Sequence, residues 1–238
     1  MSQPVALVTG ASSGIGADTA LVLAEAGYAV LMVARTADRL DAARQRVVDD
    51  VPDAVVATHP ADVTDPAACD AAVAEVIERF GRLDALVNCA GSAPLQPILK
   101  ITDDALDACL AVNLKSVIYL TRSAWPHFRQ QKAGVVVSVS SMATVDPFTG
   151  FNIYAAAKAG VNLFTKCIAD EGKRLNIRAA AIAPGAVETP MLRQNFPEKA
   201  IPTSKTLDPM AVAGAILDLV TGDRDHEPGE TIVLPSPV

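Results

Sequence analysis

Residues 5–16 read VALVTGASSGIG, and the fold turns on how that stretch divides. Val5–Val8 is a strand-sized apolar run. TGASSGIG, residues 9–16, follows it directly, with Gly10, Gly14 and Gly16 where the chain must turn tightly into a helix. A turn of this kind lets backbone approach a phosphate at a helix N-terminus, although the same glycines would also serve a purely structural strand-to-helix turn. The spacing G-x-x-x-G-x-G departs from the G-x-G-x-x-G dinucleotide fingerprint, and the turn has no Lys of the kind a nucleoside-triphosphate loop needs.

Outward from this turn, short apolar runs alternate with helical patterns. Runs at 5–8, 29–33, 54–57, 85–87, 135–139, 177–183 and 231–234 predict about seven strands, separated by segments long enough for crossover helices. That rhythm predicts an α/β fold, a doubly wound parallel sheet. Over 65–80, Ala68, Ala72, Val73, Val76, Ile77 and Phe80 share one face, Asp65 and Pro66 suit a helix start, and Gly81 lies just past its end. No linker or repeat divides the chain, so residues 1–238 are read as a single domain. The stretch 184–209 holds five prolines and breaks the pattern after the sixth strand, and residues 189–208 within it are read as a substrate flap.

Composition narrows the function. With 27 acidic against 20 basic residues the formal charge is -7, which argues against binding nucleic acid or an anionic membrane. Cys69, Cys89, Cys109 and Cys167 are far apart with no CxxC pair, and are read as reduced thiols of a cytoplasmic protein. His59, His127 and His226 are equally scattered, so no metal site is expected. The N-terminus lacks the basic and apolar regions of a signal peptide, and no apolar run is long enough to span a membrane.

Three positions carry candidate chemistry. At the end of the second strand, where a dinucleotide fold often has a carboxylate for a ribose hydroxyl, the chain has Ala34 followed by Arg35. Arg35 is either a cation for a 2′-phosphate or a solvated loop residue, and the glycine turn adds Ser12 and Ser13 but no second basic group. Asp62, after the third strand, is either an adenine-side contact or a turn residue. Tyr154 and Lys158 lie four apart in YAAAK, on one helix face. Such a pair can be a surface feature. In an active site an ammonium would lower a phenol from its usual pKa of about 10 toward use as a proton donor and acceptor.

Taken together, TGASSGIG, Asn88-Cys89-Ala90-Gly91, Asn113 in VNL, Ser140-Ser141, YAAAK and PGAVET at 184–189 resemble the short-chain dehydrogenase/reductase family over residues 5 to 191. The resemblance implies a Rossmann fold in which Gly10, Ser12, Ser13, Gly14, Ile15 and Gly16 hold a cofactor pyrophosphate. It further implies that Asp62 and Val63 meet the adenine, that Asn88, Ala90 and Gly91 wall the adenosine side, and that Pro184, Gly185, Val187 and Thr189 orient the nicotinamide. Cys89 stands where the family has a second Asn, which would lose a structural hydrogen bond. Tyr154 would pass a proton to or from a carbonyl oxygen. Lys158 would lower its pKa and bind the nicotinamide ribose, and Asn113 would hold a water linking Lys158 to solvent. The family's interval of thirteen residues before the Tyr selects Ser141 to bind the substrate oxygen, with Ser138 and Ser140 on the opposite strand face.

The activity implied is hydride transfer between NADP(H), favoured over a possible NAD(H), and a small-molecule carbonyl or secondary alcohol. A homodimer or homotetramer is implied too, paired through long helices such as the Ala-rich one near 154–171. Two rivals remain. A 3-ketoacyl-carrier-protein reductase is weakened by the ending GETIVLPSPV, which lacks the family's Gly-Gly, although Lys132, Lys173 and Arg174 could attract an acidic carrier. A non-catalytic dinucleotide-sensing protein on the same fold would have a broken active site, whereas Asn113, Ser141, Tyr154 and Lys158 are all present.

Overall fold

The computed structural model of the protein describes residues 3–237; Met1, Ser2 and Val238, inside the domain expected at 1–238, lie outside the described residues. Seven strands form one all-parallel sheet in the order β3-β2-β1-β4-β5-β6-β7: β1 Val5–Thr9, β2 Ala29–Ala34, β3 Val56–Pro60, β4 Ala85–Asn88, β5 Gly134–Val139, β6 Ile177–Pro184 and β7 Thr231–Leu234. The chain starts in the middle of the sheet, winds outward to β3, then returns to lay β4 beside β1 and winds the other way. The order therefore reverses between β1 and β4, where ligands bind in doubly wound sheets.

Both faces of the sheet are buried, which is why its strands read as continuous apolar runs. Along β1, Ala6 and Val8 join the core under α1 (Gly14–Glu25), α2 (Ala37–Asp50) and α8 (Pro209–Thr221), while Val5 and Leu7 face the opposite layer. That second layer is α3 (Pro66–Phe80), α5 (Ser116–Gln131) and α6 (Asn152–Gly172). Small side chains let helix and sheet approach closely, and Phe128 is the one aromatic among the largest fully buried side chains.

The helix predicted at 65–80 is α3. Asp65 accepts a hydrogen bond from the Ala67 amide, and Gly81 ends the helix at φ 77. Cys69, buried on the same face as Ala72, Val73 and Val76, was not among the residues predicted for it. The third strand lies at Val56–Pro60 rather than 54–57. It is the sheet's edge, so half-exposed Thr58 and His59 and a terminal Pro60 are tolerated, and apolarity alone does not mark it. The segment expected to be a flap holds a short helix, α7 (Pro190–Asn195), and is tied internally by the Arg193 guanidinium, which donates to Glu188, to the Phe196 carbonyl (3.2 Å) and to the Ile201 carbonyl (2.7 Å).

Candidate active site

Two adjoining cavities open at the carboxyl ends of the strands, of about 730 and 560 Å³. Ile15, Cys89, Gly91, Thr189 and Asn195 border both, so the two form one continuous cleft.

The larger cavity lies over the β1–β4 reversal. Gly10, Ser12, Ser13, Gly14, Ile15, Gly16, Arg35, Asp62, Val63, Ala90, Gly91 and Thr189 all line it. Gly10 has φ 66, and a Cβ there would stand 2.9 Å from the Ala90 backbone, so only glycine lets the turn pass this close to β4. Ser13 caps α1 without a side-chain hydrogen bond, and Thr36 does the same at α2. Side-chain oxygens cap α3, α7 and α8. The first-turn amides of α1 are thus uncommitted, in a cleft of dinucleotide size, and a pyrophosphate fits there without displacing a protein group.

Asp62 accepts hydrogen bonds from the Thr64 amide (2.9 Å) and hydroxyl (2.8 Å), which with nearby Arg35 hold its carboxyl below the usual range. It both makes the turn and lines the cavity, so the two readings of it are compatible. Arg35 is exposed at the cavity's edge. The glycine turn has no basic residue, but Arg39, in the first turn of α2, lines the same cavity as Arg35. Its position four residues after Arg35 was a readable signal.

Asn88 lines neither cavity. Strand alternation turns its amide into the sheet, where it donates to the Ser138 hydroxyl at 3.4 Å. Cys89, the departure from the family pattern, faces the cleft instead, its thiol pushed up to about 12 by burial, which Thr19 and Lys158 offset in part.

The smaller cavity gathers Asn113, Ser141, Tyr154, Lys158, Pro184, Gly185 and Val187. Tyr154 and Lys158 project from the buried face of α6, with the Lys158 Nζ 5.8 Å from the Tyr154 ring centre. Lys158 is 3% exposed, donates to the Val139 carbonyl at 2.7 Å, and is held down to a pKa of about 8 by burial. The lowering of Tyr154 expected from Lys158 does not hold. Burial raises the Tyr154 pKa, and a hydrogen bond with Ser141 offsets part of that. The physical reason is that one desolvated pocket penalises the charged form of each group.

Ser141 also accepts from the Ala143 amide at 3.1 Å, which sets its rotamer at the end of β5. Ser138 is fully buried, but Ser140 borders the cavity, contrary to strict alternation, because the chain leaves the strand there; its hydroxyl turns to the Lys158 carbonyl at 3.4 Å. Asn113 sits in a π-helical turn, Ala111–Lys115, between α4 (Asp103–Leu110) and α5. Its amide donates to the carbonyls of Ser92 (2.8 Å) and Cys109 (2.9 Å). Both donors are spent, so a relay role for Asn113 is left to its other atoms. A Cβ on Gly91 would lie 2.8 Å from the Asn113 oxygen and 3.5 Å from the Lys158 Nζ, so these three meet at one wall.

The apolar stretch 142–153 and the flap from 190, together with Ser236, which sequence reasoning did not single out, complete the chamber. Phe148, Phe151 and Phe196 line it, and Ser236, from the C-terminal segment, accepts from the Ala186 amide at 2.7 Å and fixes the backbone beside Gly185. Asn195 donates to the Ala93 carbonyl at 2.7 Å, joining α7 to the segment after β4. Among the described residues no three His, Cys, Asp or Glu come together as a metal site, and no helix is long and apolar enough to cross a membrane.

A dinucleotide-sized cleft over the switch point, running into an apolar chamber with a proton-bearing hydroxyl pair, places the molecule among the nicotinamide-dependent oxidoreductases of α/β fold. The chain belongs to the short-chain dehydrogenase family, whose model matches residues 4–200, and is an NAD(P)-dependent short-chain dehydrogenase/reductase. It is 35% identical over 235 residues to the 3-oxoacyl-acyl-carrier-protein reductase FabG of Thermotoga maritima, covering 96% of this chain and 94% of that one. The crystal structure of levodione reductase matches with a TM-score of 0.93 at 32% identity, covering 99% of this chain and 97% of that one. An actinorhodin polyketide ketoreductase crystallised with NADPH matches with a TM-score of 0.92 at 27% identity, covering 99% and 98%.

Proposed function

We propose that this protein interconverts a carbonyl compound and its secondary alcohol with NADP(H), using Tyr154 as general acid and base. The observation that carries the reading is that Ser141, Tyr154, buried Lys158 and Asn113 line one apolar cavity that is continuous with the dinucleotide-sized one. The reduced nicotinamide supplies, as hydride, the electron pair and hydrogen taken up by the carbonyl carbon. Tyr154 delivers the proton to the carbonyl oxygen, and Ser141 holds that oxygen in place. Burial keeps Tyr154 protonated, which favours donation in the reductive direction. Lys158 is placed to meet a ribose hydroxyl, and Asn113 to keep the wall at Gly91 closed against it. Gly10 and Ser12–Gly16 would receive the pyrophosphate, Asp62, Val63, Ala90 and Gly91 the adenosine, and Pro184, Gly185, Val187 and Thr189 the nicotinamide amide. Asn88 supports that wall from inside the sheet.

Residues 189–208 act as the flap over the substrate. The preference for NADP(H) over NAD(H) rests on the absence of a carboxylate at Ala34 and on two cations, Arg35 and Arg39, lining the larger cavity; the relative that carries NADPH is consistent with it. The four cysteines are unpaired, as suits the cytoplasm. Leu163, 65% exposed on α6, suits a homodimer or homotetramer paired through that helix.

Tyr154→Phe removes only the proton-carrying hydroxyl. Turnover is expected to fall at least a thousandfold, of the order seen for loss of general acid catalysis combined with oxyanion stabilisation, with the NADPH dissociation constant nearly unchanged. A loss of less than about tenfold would assign the proton to another group.

A further inference from the structure

The chain has only six Phe, three Tyr and one Trp, yet Phe148, Phe151, Phe196 and Tyr154 all line the smaller cavity. They come from two separate segments and meet ring to ring. The centroid of Phe151 is 5.9 Å from that of Phe196, nearly perpendicular, and 5.4 Å from that of Tyr154; Phe148 is 6.3 Å from both Phe151 and Phe196. This is an aromatic wall leading to the proton-bearing hydroxyl. It is not a closed core, because Phe148 is 59% exposed and Phe151 and Phe196 are half-buried. Apolar ring faces left open in a cavity of about 560 Å³ are a surface that a flat, apolar ligand would cover.

Charge points the same way. The only ionisable Asp, Glu, Lys or Arg side chains lining this cavity are Lys158, buried beside Tyr154, and Asp146 and Lys205. An anionic substrate meets no cluster of cations. Lys132, Lys173 and Arg174, which could have drawn an acidic carrier protein, follow the ends of α5 and α6 and precede β5 and β6. They therefore stand at the amino ends of the strands, across the sheet from the cleft, and cannot steer a carrier-bound chain into it.

We infer that the substrate is an uncharged aromatic or alicyclic ketone, whose ring packs edge-to-face against Phe148, Phe151 and Phe196 while its carbonyl oxygen reaches Tyr154 and Ser141. The inference rests on the carbonyl-reductase reading and specifies which carbonyl compounds it takes. A linear acyl chain covers the same ring faces less well, since an aromatic ring offers the positive edge that meets a π-face and an alicyclic ring presents its C–H groups as one rigid body, without the rotamer freedom a chain must lose.

The test compares acetophenone with 2-octanone, a ring ketone and a chain ketone of the same carbon count, and with acetoacetyl-N-acetylcysteamine as a stand-in for a carrier-bound acyl group. With NADPH, kcat/KM for acetophenone is expected to exceed both others at least tenfold, within the range a well-shaped apolar pocket discriminates. Phe148→Leu and Phe196→Leu should each shrink the acetophenone to 2-octanone ratio by about tenfold while circular dichroism and Tm stay near those of the parent. Equal or better turnover of 2-octanone or the thioester overturns the inference and leaves the carbonyl-reductase reading standing. Absence of turnover for all three overturns that reading instead. The ring preference is then judged by calorimetry on the complex with NADP+: acetophenone binding at least tenfold tighter than 2-octanone supports it, and equal or weaker binding overturns it.

Discussion

Lys158 is a cation kept out of water by the site it serves. Its folded pKa of about 8 lies below the ordinary 10.5, so the buried charge costs stability at neutral pH. The shift corresponds to about 3 kcal/mol, and a neutral replacement gives back part of this by leaving the Val139 carbonyl without its donor, at about 1–3 kcal/mol. Lys158→Met is therefore expected to raise Tm by a few degrees at pH 7 while abolishing activity. Between pH 8 and 10.5 the native lysine loses its proton while the unfolded one keeps it, so parental stability rises relative to the variant and the gain shrinks. Melting curves at pH 7 and pH 10 check both signs; a gain that grows with pH would mean the lysine is charged in the fold throughout.

At the same scale, the Arg35 and Arg39 guanidiniums can fork onto a 2′-phosphate, a charge-assisted contact of about 1.5–3 kcal/mol. NADPH should be preferred over NADH by roughly ten- to a hundredfold in kcat/KM. Ala34→Asp should swing the preference toward NADH, by supplying an acceptor for the ribose and a like charge against the phosphate. Arg39→Ala should lower NADPH efficiency alone. Equal efficiencies in the parent would show both arginines to be idle.

Among the elements, α7 and the residues around it border both cavities. Proline content marked this segment as irregular, and the structure shows why it nonetheless holds a shape. Thr189 caps α7 by accepting from the Leu192 amide, Pro190 begins the helix where no amide is needed, and Arg193 ties Glu188, Phe196 and Ile201 together. The Asn195 to Ala93 hydrogen bond, at 2.7 Å, then joins this unit to the opposite wall. Arg193→Ala should untie the unit without touching the reacting groups. Limited proteolysis within 188–206 is expected to speed up several-fold, with KM rising for cofactor and ketone together and NADPH restoring protection. Unchanged proteolysis would mean that the tie at Arg193 does not hold the segment.

In the whole molecule, the sheet order brings seven carboxyl strand ends to one edge and so assembles a site from residues scattered over the chain. What the sequence by itself determined was whatever depends on near neighbours. The strand rhythm, the glycine turn, the Asp65 and Gly81 bounds of α3 and the YAAAK pair were legible because φ angles, caps and helical spacing are local properties. Ser141 and Asn113 became legible only through the order of motifs shared with a family. Tertiary structure alone decided the rest. It left Asn88 outside both cavities. It also brought Phe196 to Phe151, and Asn195 to Ala93 across 102 positions of chain. The direction of the Tyr154 pKa belongs to the same set: spacing puts a cation next to a phenol, but how far water is excluded around them is a property of the packed layers, and here desolvation raises it, with Ser141 offsetting part.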